Sequence, residues 1–103
     1  MSTKRLCFSV NSLILLTIIS NNAHTADIEA GRIKATQCAI CHGIDGEGNG
    51  IPQAKISGMD VETFKQHIHD FQSGARKNVM MQRFVEKLSE QDIENLAAYF
   101  ASK

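Results

Sequence analysis

Proline is almost absent from this chain: it occurs once, at Pro52, beside seven glycines in 103 residues. That excludes a collagen-like repeat and a proline-rich disordered tract, and a hydrophobic content of 43% belongs to a globular chain. An excess of either charge is missing as well. Eleven Lys and Arg balance eleven Asp and Glu, so the basic footprint of a nucleic-acid binder is lacking. The length of 103 residues suits a single domain and leaves little chain for an enzyme with a deep cleft of its own.

No uninterrupted apolar run reaches the ~20 residues of a membrane span. Lys4 and Arg5 precede an apolar stretch from Leu6 to Ile19 that Ser9, Asn11 and Ser12 interrupt, and Ser20-Asn21-Asn22-Ala23 follow. Basic, then apolar, then small and polar is the order of a secretory signal peptide. It is expected over residues 1–23, with cleavage after Ala23 or as late as Ala26. A membrane anchor is the competing reading. Cys7 falls inside this segment, too early for a lipid-anchor cysteine. Lys4 and Arg5 leave with the segment and no acid does, so nine basic and eleven acidic side chains remain, a formal net of −2.

The exported remainder, expected as one domain over residues 27–103, holds only Cys38 and Cys41. A domain of about eighty residues has a marginal apolar core and usually needs a staple. Two cysteines three positions apart close too short a loop to be one. They stand in Cys38-Ala39-Ile40-Cys41-His42, the C-x-x-C-H signature of c-type haem attachment. Each thiol can add its S–H across one haem vinyl group, two cysteines one short turn apart reach both vinyls, and the adjacent histidine supplies an imidazole to the iron. Export agrees with this chemistry, which is extracytoplasmic. A zinc site is less well supported: it needs four ligands, and His67-Ile68-His69 lacks the required histidine spacing. A thioredoxin-like dithiol would need a βαβ pattern, and no convincing alternating strand is present.

Elsewhere the pattern is helices joined by glycine-rich loops. Asp27 to Gln37 reads as a first helix running into the cysteines, and Asp60 to Ser73 as a second, with Phe64, His67/Ile68 and Phe71 on one face and Gly74 to stop it. Ser89 with Asp92 three residues on resembles a capping box, after which Ile93, Leu96, Ala97 and Phe100 form the apolar face of a last helix. The loop Gly43 to Gly50 alternates glycine with Asp45, Glu47 and Asn49, but Ile56 stands where a calcium loop needs its final Glu. A loop passing close to a flat cofactor is the better reading of its glycines.

Cys38–Gly43, Asp45-Gly46-Glu47-Gly48-Asn49, Lys55-Ile56-Ser57-Gly58, Phe71-Gln72-Ser73-Gly74-Ala75-Arg76-Lys77-Asn78, and Leu88-Ser89 through Leu96-Ala97-Ala98-Tyr99-Phe100 together resemble the class I cytochromes c of the c553 and c4-like group, over nearly the whole exported chain. The resemblance implies an all-α fold: a small cytochrome c fold of three to four helices around one covalently attached haem c. It implies a close crossing of first and last helices, with Gly31 against Tyr99. It also implies a methionine as sixth ligand, eight positions before the serine that opens the last helix, which selects Met81 over Met80. The family has a proline whose carbonyl orients the proximal histidine; that position is Ala54 here, with Pro52 nearby.

The cofactor-binding residues are therefore expected to be Cys38, Cys41, His42 and Met81, with His42 and Met81 on the metal. The expected function is electron transfer by a periplasmic or otherwise exported monohaem carrier that is not an enzyme, exchanging electrons with redox partner proteins. A subunit of a larger periplasmic oxidoreductase and a ligand-binding haem sensor with an open sixth position are the alternatives. His67 and His69 read as surface or partly packed histidines, Arg76 and Lys77 as propionate partners or a solvated basic pair, and Asp45 and Glu47 as solvated loop carboxylates.

Overall fold

The computed structural model describes residues 25–103; segment 1–23, expected to be a signal peptide, lies outside them. Five α-helices and no strand are present among the described residues: α1 (Ile28–Lys34), α2 (Ala39–His42), α3 (Val61–Ser73), α4 (Val79–Val85) and α5 (Glu90–Ala101). The fold is all-α, as expected, with more helices than the three to four of the sequence reading. The stretch expected as one helix over 27–37 gives way to a tighter turn at Ala35–Gln37 before α2, and residues 79–85, to which no helix was assigned, form α4.

All the helices but α2 begin where a side chain satisfies a free amide group. Asp27 accepts from the Ala30 amide, Asp60 from Thr63, Asn78 from Met81 and Ser89 from Asp92, the last within a complete capping box. Helix α3 ends at Gly74, whose φ of +81° takes the left-handed conformation that an L side chain resists. Just before that end, the Gln72 amide donates to the carbonyls of Val85 at 2.9 Å and Leu88 at 3.3 Å. That ties α3 to the turn joining α4 and α5.

The core gathers on α5. Ile93, Leu96, Ala97, Tyr99 and Phe100 are buried there, with Phe64, Ile68 and Phe71 of α3, Val85 of α4 and Ala35 packed around them. The Phe64 and Phe100 rings stack with centroids 5.6 Å apart, and Tyr99 meets Phe100 edge-on at 5.0 Å. Asn95, buried at the α1–α5 crossing, accepts the Asp27 amide at 2.8 Å and the Gln91 side-chain amide at 2.9 Å. At the same crossing a Cβ on Gly31 would run into the Asn95 carbonyl and lie 3.0 Å from the Tyr99 Cβ. The close approach of first and last helices is thus set by the missing side chain at position 31.

The loop from Gly43 to Gly50 departs from expectation: none of its residues lines the molecule's main cavity. It packs on α5 instead. A Cβ on Gly46, at φ +77°, would meet the Phe100 ring at 2.8 Å, and the Gly46 carbonyl accepts the amides of Ile56 and Ser57. Gly46 serves backbone-on-core packing, which composition alone does not distinguish from packing on a cofactor.

Replacing Gly31 by Ala should force α1 and α5 apart. Overpacking of this kind costs about 1–3 kcal/mol, or roughly 4–8 °C of melting temperature per kcal/mol in a domain of this size. Thermal melting of the haem-loaded Gly31→Ala protein checks it; an unchanged midpoint would mean that the crossing is not close-packed.

Candidate functional site

A cavity of about 520 Å³ opens between α2, α3, α4 and α5, walled mainly by apolar side chains that include Ile51, Ile56, Phe64, Ile68, Phe71 and Leu96. Cys38, Cys41 and His42 line it, and so do Met80 and Met81. All four residues singled out from the sequence are therefore brought to one cavity, although α4 lies some forty residues along the chain from the cysteines. The volume falls in the range of small-molecule and cofactor sites, ~300–1,000 Å³.

His42 closes α2, and its ring is fixed by the loop. Nδ1 lies 2.6 Å from the Ala54 carbonyl oxygen. A carbonyl only accepts, so Nδ1 carries the proton and Nε2 keeps the lone pair that a metal needs. Of the two carbonyls open on sequence grounds, Ala54 rather than Pro52 makes the contact. The turn Pro52–Ala54 that presents it is held from behind: the Gly48 amide donates to the His42 carbonyl at 2.6 Å, and the Ile51 amide to the Gly48 carbonyl at 2.8 Å.

The two thiols are free and unlike. Cys41 is exposed, whereas Cys38 is half-buried, and burial pushes its thiol pKa up to about 11. A C-x-x-C redox pair lowers its attacking thiol's pKa, so this environment runs opposite to a thioredoxin-like site. No group of three or more His, Cys, Asp or Glu among the described residues is placed to hold a metal ion.

Helix α4 delivers both methionines to the cavity, Met81 half-buried and Met80 56% exposed. The Met81 amide donates to the Asn78 side chain at 3.0 Å, so the residue that starts the helix also anchors the backbone of the candidate ligand. Asn78 lines the cavity as well. Sequence reasoning missed this role; the signal was an N-cap residue three positions before Met81, with Phe84 and Val85 one turn further on.

The histidines divide. His69 Nε2 lies 3.0 Å from Glu90 on the surface, while His67 lines the cavity and its Nδ1 accepts from Arg76 at 3.1 Å. Arg76 also lines the cavity and stacks over Phe71 at 4.8 Å. Lys77 is exposed and has no place in the cavity wall. Asp45 pairs with Lys103 at 3.6 Å, and Glu47 accepts the Asp45 amide, so neither carboxylate belongs to the site.

A family described as cytochrome c oxidase, cbb3-type, subunit III matches residues 26–100. The chain belongs to this family of c-type cytochrome domains. It is 37% identical over 93 residues to cytochrome c4 of Pseudomonas aeruginosa, covering 89% of this chain and 46% of that one. Cytochrome c-553 of Helicobacter pylori is 41% identical over 66 residues, 63% of this chain and 69% of its own. Cytochrome c-553 of Desulfomicrobium norvegicum is 32% identical over 81 residues, 76% of this chain and 99% of its own. The chain spans about half the length of the cytochromes c4 it matches. Family membership implies one covalently bound haem c, and the apolar cavity, the two free thiols and the imidazole oriented through Nδ1 fit that group.

The two methionines differ in what holds them, and that yields an expected outcome. Met81→Ala in the haem-loaded protein should abolish the red charge-transfer band of a methionine-ligated ferric haem and lower the reduction potential. Met80→Ala should keep the band. The opposite pattern would assign the ligand to Met80, retention of the band in both variants would point to Met59, and its absence from the unmodified protein would point to a histidine.

Proposed function

We propose that this chain is an exported monohaem cytochrome c that carries single electrons between redox partner proteins and is not itself an enzyme. The observation that carries the reading is the convergence of Cys38, Cys41, His42 and the α4 methionines on one apolar cavity, with the His42 ring already oriented by Ala54. In this reading the Cys38 and Cys41 sulfurs would hold haem c covalently, and His42 Nε2 and the Met81 sulfur would ligate its iron. Bound there, haem c supplies a ferrous–ferric couple whose potential a His/Met ligand pair raises.

The remaining work falls to the chain. Phe64, Ile68, Phe71 and Leu96 keep water from the site, and a low dielectric favours the state of lower charge. The Ala54 carbonyl fixes the proton on Nδ1 and increases the basicity of Nε2. The Asn78 cap holds the backbone of Met81. With imidazole and thioether both committed, no position is left for a substrate, which supports a carrier over a sensor or catalyst. Export rests on the pattern of residues 1–23 and on the extracytoplasmic chemistry of haem attachment; no helix among the described residues is long and apolar enough to cross a membrane.

Expression in a host able to attach haem c, followed by exposure of the reduced protein to carbon monoxide, tests the proposal. The expected result is a haem that stays with the polypeptide on a denaturing gel, is reduced and reoxidised reversibly, and leaves the reduced spectrum unchanged by carbon monoxide. Rapid carbon monoxide binding by the unmodified protein would indicate a sensor. A polypeptide carrying zinc and no haem would overturn the assignment of the cysteines.

A further inference from the structure

Helix α4 is seven residues long, too short to keep its shape in water without outside support. It nevertheless carries Met81, whose side chain has to reach a fixed point in the cavity. Asn78 pins its start: the side chain accepts the Met81 amide at 3.0 Å and the backbone carbonyl accepts the Gln82 amide at 2.9 Å. The far end is pinned from another helix. Gln72, next to last in α3, donates its side-chain amide to the Val85 carbonyl at 2.9 Å and to the Leu88 carbonyl at 3.3 Å.

This contact asks for an amide. A carbonyl oxygen only accepts, so the Gln72 nitrogen faces both carbonyls, and its two N–H groups match the two acceptors. The Val85 carbonyl is one of the last four of α4, which have no partner within the helix; besides Gln72 it accepts the Leu88 amide at 3.1 Å. Gln72 and Leu88 are half-buried and Val85 is buried, so taking the donors away leaves sheltered acceptors unsatisfied, the costly way to lose a hydrogen bond. Met81 and Val85 stand four positions apart, hence on one face of α4, and both line the cavity. The carbonyl that Gln72 grips therefore belongs to the residue one turn along from the candidate ligand.

We propose that Gln72 is the positioning residue for the sixth ligand: its two hydrogen bonds set the height and rotation of α4 against α3, hold the Met81 side chain in the cavity and so keep the sixth position closed to outside ligands. The inference rests on the reading of Met81 as ligand and adds what decides between a carrier and a ligand binder. With the clamp in place α4 has one arrangement. Without it the helix keeps its Asn78 cap and the buried Val85 side chain but can pivot about them, and an arrangement with Met81 withdrawn gains population at the expense of the closed one. Gln66, six positions earlier in α3, bonds instead to Asp70 of its own helix at 2.8 Å, which makes it the matched control.

The test titrates imidazole into the full haem-loaded ferric protein and follows loss of the red charge-transfer band, which reads displacement of the thioether and not unfolding. Gln72→Leu, which removes both donors, and Gln72→Glu, which puts acceptors in their place, should each raise the imidazole affinity by roughly tenfold, about what one lost hydrogen bond supplies. Gln72→Asn, the mildest change, sets the donors one methylene back and should shift the affinity the same way by less. Gln66→Leu should leave it unaltered. Gly31→Ala separates positioning from stability: it weakens the fold at the α1–α5 crossing, so it should lower the melting temperature and leave the imidazole affinity unchanged. Unchanged affinity in the Gln72 variants that load haem, or a rise in Gly31→Ala equal to theirs, would overturn the proposal. An unmodified protein without the band removes the Met81 reading and this proposal with it. A band that is present, is lost in Met81→Ala and is indifferent to position 72 overturns the clamp alone.

Discussion

The hydrogen bond between His42 Nδ1 and the Ala54 carbonyl, 2.6 Å long, joins the segment carrying the cysteines to the loop that would otherwise drift over an open cavity. The net contribution of such a bond to stability is about 1 kcal/mol. Its larger effect is directional. With Nδ1 committed, the ring can offer Nε2 only along one line, and the loop from Gly48 to Lys55 is built to hold the carbonyl on the other side of that ring. The tight turn at Pro52–Ala54 and the bonds from Gly48 to His42 and from Ile51 to Gly48 are consequences of the same requirement.

A second constraint acts from behind the cavity. Gly31 lets α1 approach the Asn95 carbonyl, and Tyr99 reaches across to donate its hydroxyl to the Ile44 carbonyl at 3.0 Å. The Gly58 amide bonds to the Phe100 carbonyl at 2.8 Å. Helix α5 thus fastens the first helix, the glycine loop and the approach to α3, and turns Leu96 toward the cavity. The cavity is not an appendage to a finished core: Phe64, Ile68, Phe71, Val85 and Leu96 are counted in both. An apolar cofactor held there completes the packing of a chain too short to fill its own centre.

Much of this was legible in the residues. The C-x-x-C-H run carries its chemistry in its spacing, and α3 and α5 follow from an i, i+3/i+4 apolar pattern with caps at Asp60, Gly74 and Ser89. Helix α4 was not legible, because seven residues give less than two full periods and its apolar side chains point both into the cavity and out of it. The glycine loop was misread for a related reason: Gly46 answers to Phe100, a contact 54 residues away that composition does not reveal. Nor does the sequence say which carbonyl would reach His42. Ala54 has no side-chain signature for the role, since only its backbone is used.

The cofactor and the fold are one structure, with the same side chains serving as core and as site. Far-ultraviolet circular dichroism of the chain without residues 1–23, expressed without haem attachment and compared with the haem-loaded protein, tests it most directly. Ordering about eighty residues costs on the order of 1–2 kcal/mol each in backbone entropy, and the account predicts that the haem-free chain stays largely disordered. A cooperative, fully helical haem-free protein with stability close to that of the loaded one would contradict it.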